Sequence, residues 1–95
     1  MENKEISELK KKLKILQKEL RSVGPIMRGS VTIMGDKNKQ PYFSVSKKGK
    51  TKVIYLGDKR AKIAGKYVGN YRRVLEIIDE MTIINMEILK KMKTK

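Results

Sequence analysis

From Asp58 to Lys93 the chain reads as one potential helix of about 35 residues, roughly 50 Å long at 1.5 Å rise per residue. Val74, Ile78, Met81, Asn85, Ile88 and Met92 recur at alternating spacings of four and three, and Leu75, Ile77, Ile84 and Leu89 widen that stripe. A face this broad does not stay in water, so the rest of the chain or a second copy must cover it. Asp58 suits the N-cap, and Lys90, Lys91 and Lys93 lie where the helix dipole favours cations. Gly65 and Gly69 each cost about 1 kcal/mol relative to Ala, which admits a kink or a break. Their spacing matches the small-xxx-small pattern of close helix packing, although Lys66 makes it a poor copy of the apolar original.

A second helix is expected over residues 2–23. Ile6, Leu9, Leu13, Leu16, Leu20 and Val23 fall three, four, three, four and three apart, the a/d seam of a coiled coil or helical hairpin. Gly24 and Pro25 end it, since Gly supplies a C-terminal cap and Pro cannot continue the ladder. Three heptads alone are marginal in water, so this helix needs a partner. The expected pairing sets Leu9, Leu13, Leu16 and Leu20 against Val74, Ile78, Met81, Asn85 and Ile88 as a coiled coil, within one chain or between two, with a homodimer favoured. Asn85 either fixes register within that seam or points to solvent beside it.

Between the helices, over residues 28–57, the period drops to two. Val31 and Ile33 alternate with Ser30, Thr32 and Met34, and Gly35 to Gln40 follow as a polar loop. Residues 41–46 and 51–56 are rich in β-branched and aromatic types, with Lys47-Lys48-Gly49-Lys50 between them as a tight turn. With Lys48 and Gly49 as loop residues, Tyr42 faces Tyr55, Ser44 faces Val53, and Phe43, Val45, Ile54 and Leu56 point toward the helices. A bulge at Gly49 would instead shift that register by one. The expected fold is therefore α+β: an N-terminal helix, a small antiparallel sheet of two or three strands, and a long C-terminal helix, all within one domain spanning 1–95.

Charge narrows the function classes. The chain carries 24 Lys and Arg against 10 Asp and Glu, a formal +14 that repels itself unless it meets a polyanion. With no Cys and no His, disulfides, thiol chemistry, zinc sites and the usual hydrolase triads are excluded, and no metal or other cofactor is expected. Asp36 and Asp58 fall at loop and cap positions without a carboxylate cluster to hold Mg²⁺, so the chain is not read as an enzyme. Charged residues near the start exclude a signal peptide, no run is long and apolar enough for a membrane span, and a cytoplasmic protein is expected.

The positive excess sits at residues 24–73, which hold thirteen basic and two acidic side chains. Lys47, Lys48, Lys50 and Lys52 crowd the hairpin, Lys59, Arg60, Lys62 and Lys66 the start of the long helix, with Arg72 and Arg73 further along. These are the candidate phosphate contacts, and Tyr42 and Tyr55 on the open hairpin face are candidate stacking platforms. A solvated Lys-rich surface is the plain alternative, supported by nineteen Lys against five Arg. Tyr67 and Tyr71, four apart, fit a role covering the sheet.

The order of a helix, Met27-Arg28-Gly29-Ser30, Pro41-Tyr42-Phe43-Ser44, Gly49-Lys50-Thr51, then Asn70-Tyr71-Arg72-Arg73 opening an Ile/Leu-rich helix resembles a family of short, basic, uncharacterised bacterial and archaeal proteins, over roughly residues 20–92. Many of its members carry a cysteine cluster between the Arg-Gly-Ser and Pro-Tyr strands, which reads as a metal knuckle. This chain has Gly35 to Gln40 there. The resemblance therefore implies the architecture and no particular activity. Two functional expectations stand: a sequence-tolerant protein binding DNA or RNA, of the kind that is accessory to a mobile element or phage, and an inhibitor or adaptor that docks its helices and basic hairpin on a partner protein.

Overall fold

The switch of period at Gly24-Pro25 divides helix from sheet in the molecule as well. The computed structural model describes residues 4–92, with α1 at Lys4–Ser22, β1 at Ser30–Met34, β2 at Gln40–Lys47, β3 at Lys50–Tyr55 and α2 at Gly57–Lys91. This is the expected α+β order, and the expected helix ends at residues 2, 3 and 93 lie outside the described residues. Helix α2 begins one residue before Asp58, so this carboxylate sits in the first turn rather than at the cap, still where the dipole favours an anion. Helical backbone runs without a break through Gly65 and Gly69, and a Cβ built on either meets no atom within 4 Å. The close packing that their spacing suggested is therefore not made there.

Strand order is β1-β2-β3, all antiparallel. Lys48 and Gly49 both take positive φ, 53° and 78°, the pair of values a two-residue type I′ turn needs. The pairing is consequently the unbulged one, with Tyr42 opposite Tyr55, Phe43 opposite Ile54 and Lys47 opposite Lys50.

Two compact units result: Gly24–Arg72, and α1 with the remainder of α2 from Arg73 onward. In the first, Phe43, Leu56, Ala64 and Val68 form a buried cluster, and Met27, Val31, Val45 and Ala61 pack against it. Small side chains at Ala61 and Ala64 suit a helix lying on a sheet. The segment before β1 is tied to α2 twice, by Met27 N donating to the Tyr67 carbonyl at 3.2 Å and Asn70 Nδ2 donating to the Pro25 carbonyl at 2.8 Å. Tyr67 borders an apolar groove of about 310 Å³ with Met27, Ile54, Leu56 and Ile63. Ile54, expected to pack on the helices, is instead 53% exposed, because β3 is an edge strand and its side chain falls at the open side of this groove.

In the second unit, Ile6, Leu16, Ile77 and Ile88 are buried, with Leu9, Leu13, Leu20, Val74, Met81 and Ile84 half-buried. The buried α2 positions therefore follow Val74, Ile77, Met81, Ile84 and Ile88. Ile78 and Asn85, expected on that seam, are exposed. Two ion pairs set the helices antiparallel: Glu5 with Lys91 at 2.7 Å, and Glu19 with Arg73, whose Nε and Nη2 grip both carboxylate oxygens, the latter at 2.8 Å. Hydrogen bonding from Arg73 holds the Glu19 carboxyl below the usual glutamate range, and Lys91 does the same for Glu5.

Ile77→Ala should therefore destabilise the protein by about 2–5 kcal/mol, whereas Ile83→Ala, at an exposed position of the same helix, should stay within about 0.5 kcal/mol of wild type, as read by urea unfolding. A second test uses acid. A glutamate with a lowered folded-state pKa contributes stability that is present above its unfolded pKa and lost as pH falls through the folded value. Wild type should thus lose thermal stability as pH drops below the usual glutamate range, and Glu19→Gln should show a flatter acid limb together with a lower melting temperature at neutral pH.

Candidate nucleic-acid interface

Strand alternation decides which cations can act together. Val45, Lys47, Lys50 and Lys52 project from the same side of the sheet as Phe43, and Lys48 occupies the turn. Beyond the reach of the Phe43 cluster, Arg28, Lys47, Lys48, Lys50 and Lys52 surround a concavity of about 370 Å³ floored by Val45. Every lining residue but that valine is a cation. Long lysine stems shape its walls while the ammonium groups stay solvated.

Arg28 was not among the candidate contacts; its only sequence signal was the Arg-Gly-Ser motif. Its guanidinium reaches the hairpin because Gly29 lets the backbone pass close to β2. A Cβ on Gly29 would sit 2.5 Å from the Phe43 ring and 2.6 Å from the Ser44 carbonyl oxygen, at a φ of 144°. Nη1 of Arg28 then donates to the Ser46 carbonyl at 3.0 Å, which anchors one edge of the guanidinium and leaves the rest facing the concavity.

The remaining expected contacts separate. Lys59, Lys62 and Lys66 are exposed on α2 at i, i+3 and i+7, on the side opposite Ala64 and Val68, and do not line the hairpin concavity. Arg72 is exposed as well. Arg60 is committed to the strand-to-helix connection, donating from Nε to the Leu56 carbonyl at 2.7 Å and from Nη2 to the Tyr55 carbonyl at 2.9 Å. Arg73 is half-buried and held by carboxylates. It bridges Glu19, Glu80 at 3.5 Å and Glu76 at 3.8 Å, and the Glu19 hydrogen bond above all drives its pKa further up.

The tyrosines fall on the other side of the sheet from the hairpin lysines. Tyr42 and Tyr55 meet edge to face with centroids 5.5 Å apart, and the Tyr55 hydroxyl donates to Gln40 Oε1 at 3.2 Å. Ser46 and Thr51 hydroxyls pair at 2.8 Å on the same face. This is an uncharged, hydroxyl-rich surface whose rings are engaged with each other.

Among the described residues there is no group of three or more Asp, Glu, His or Cys that could hold a metal ion, and no helix long and apolar enough to cross a membrane. No family model, curated protein or solved structure matches this chain.

Because rings and lysines lie on opposite faces, Tyr55→Ala should leave both single-strand affinity and its salt dependence at wild-type values in fluorescence anisotropy. A large loss of single-strand affinity with an unchanged salt slope would show that bases stack on that ring.

Proposed function

We propose that this chain is a small, basic, sequence-tolerant nucleic-acid-binding protein that holds the phosphate backbone at the tip of the β2–β3 hairpin. The observation that carries this reading is the convergence of Arg28, Lys47, Lys48, Lys50 and Lys52 around one concavity. Five cations brought together without interposed carboxylates repel one another. A polyanion relieves that repulsion and releases its own condensed counterions as it binds.

The surrounding composition acts in the same direction. Residues 24–72 hold twelve basic and two acidic side chains, so the local field is positive well beyond the five contacts. Lysine dominates the cluster, and an ammonium acts on phosphate as a point charge with no fixed fork, which favours backbone contact over base reading. Lys59, Lys62, Lys66 and Arg72 add long-range attraction that is screened beyond about 10 Å at 0.1 M salt.

Five phosphate contacts at about 0.9 each give a slope of log affinity against log salt near −4 to −5 on duplex DNA. Replacing Lys47, Lys48 and Lys50 by Ala should reduce its magnitude by about 2 to 3, with helix content unchanged. Mobility shifts with single- and double-stranded DNA and RNA at two salt concentrations supply the measurement. If the triple variant binds all four as wild type does, the hairpin is not the binding element and docking on a partner protein becomes the better reading.

A further inference from the structure

The second half of α2 carries two apolar stripes, and α1 covers one of them. Leu75, Ile78, Thr82, Asn85, Leu89 and Met92 form the other, at spacings of three, four, three, four and three, and they lie exposed. Leu75, Ile78, Leu89 and Met92 are 43 to 64% exposed, two apolar pairs separated by Thr82 and Asn85 on a helix whose neighbouring stripe is already covered. The hydroxyl of Thr82 donates to the Ile78 carbonyl at 2.8 Å, so its polar group is satisfied within the helix and its methyl is free to pack.

We propose that this stripe is a homodimer interface, formed by α2 packing antiparallel on α2 of a second copy. Charge argues for a copy of this chain over a polyanion. Residues 74–95 hold four acidic and four basic side chains, no net charge in a chain of formal charge +14, so the stripe lies on the segment where a second copy is least repelled. The pattern is also self-complementary about a two-fold axis midway between Thr82 and Asn85. Leu75 then meets Met92 of the copy, Ile78 meets Leu89, and the two central polar residues meet each other, which confines polar contact to the middle of the seam.

The flanking charges select the direction. Asp79, Met86 and Lys90 border the stripe on its side away from α1, the two charges three turns apart, and all three are exposed. In an antiparallel pair this border faces its own copy in reverse order, bringing Asp79 near Lys90 of the partner twice over. A parallel pair would set it against the other border, where Met81 is half-buried and Ile88 buried within the unit. Lys90 contacts Glu87 at 3.2 Å on the surface, a pairing that a dimer can exchange at small cost.

The experiment uses the full chain. Light scattering across a micromolar concentration series should show a species of twice the 11.0 kDa chain mass. Ile78→Glu with Leu89→Glu should return it to one chain mass, with helical circular dichroism retained because both side chains are exposed in the protomer. The chain has no cysteine, which permits a direct test of direction. In a glutathione redox buffer, Ile78→Cys mixed with Leu89→Cys should form a heterodisulfide, and neither should cross-link to itself. A monomer at every concentration, a dimer that survives the double Glu variant, or a disulfide from either cysteine variant alone would overturn the proposal. Whether the hairpin holds phosphate is read from the triple Lys variant against wild type, a difference that does not require the dimer.

Discussion

Every part of this molecule depends on the fact that α2 cannot stand alone in water. Its apolar residues are too many and too regularly placed for a solvated helix, and isolated helices draw little stability from propensity alone. Up to Arg72 the helix is covered by the cluster of Phe43 and Leu56, and from Arg73 onward the stripe of Val74, Ile77, Met81, Ile84 and Ile88 is buried or half-buried in the unit that α1 completes. The remaining elements serve that coverage. The type I′ turn sets the register that places Phe43 inward, Gly29 allows β2 to come close, and the Glu19–Arg73 and Glu5–Lys91 pairs hold α1 in place at two points along its length.

Element order and hairpin register were legible because they rest on local rules. A shift from period 3.6 to period 2, a Gly-Pro stop and a Lys-Gly turn each have few structural solutions. The choice of seam on α2 was not legible to the same degree, because two heptad series run through the same residues. Both contain Val74, Met81 and Ile88. One fills the intervening positions with Ile78 and Asn85, the other with Ile77 and Ile84. The structure buries the second, in which both intervening positions are apolar, and the polar Asn85 was the sequence signal against the first. Spacing alone fails here because the two series differ by one helical step, and only the presence of α1 distinguishes them.

The candidate site shows a different limit. Summing charge along a sequence counts cations without their partners, and in this protein three of the five arginines are already engaged. Arg60 binds two carbonyls, Arg73 is held by carboxylates, and Arg28 is half committed to Ser46. The planar guanidinium fork suits such fixed multi-donor roles, while a lysine ammonium on a flexible stem remains at the surface. Arg28 and Arg60 thus fasten backbone carbonyls, Arg73 binds glutamates, and the hairpin lysines supply the free field. Chain position near other cations gave Arg73 the appearance of a phosphate contact; the glutamates of the same unit decide otherwise.

The separation of these two kinds of surface along one chain is itself informative. Positive charge is concentrated in residues 24–72, and the uncovered apolar stripe lies in residues 74–95, where acidic and basic side chains are equal in number. Two copies joined as proposed would carry two hairpins, and where both reach one strand the second engagement proceeds at an effective concentration set by their spacing rather than by protein in solution. On the proposed reading such an arrangement suits a contact that ignores sequence, since every stretch of backbone presents the second hairpin with an equivalent site.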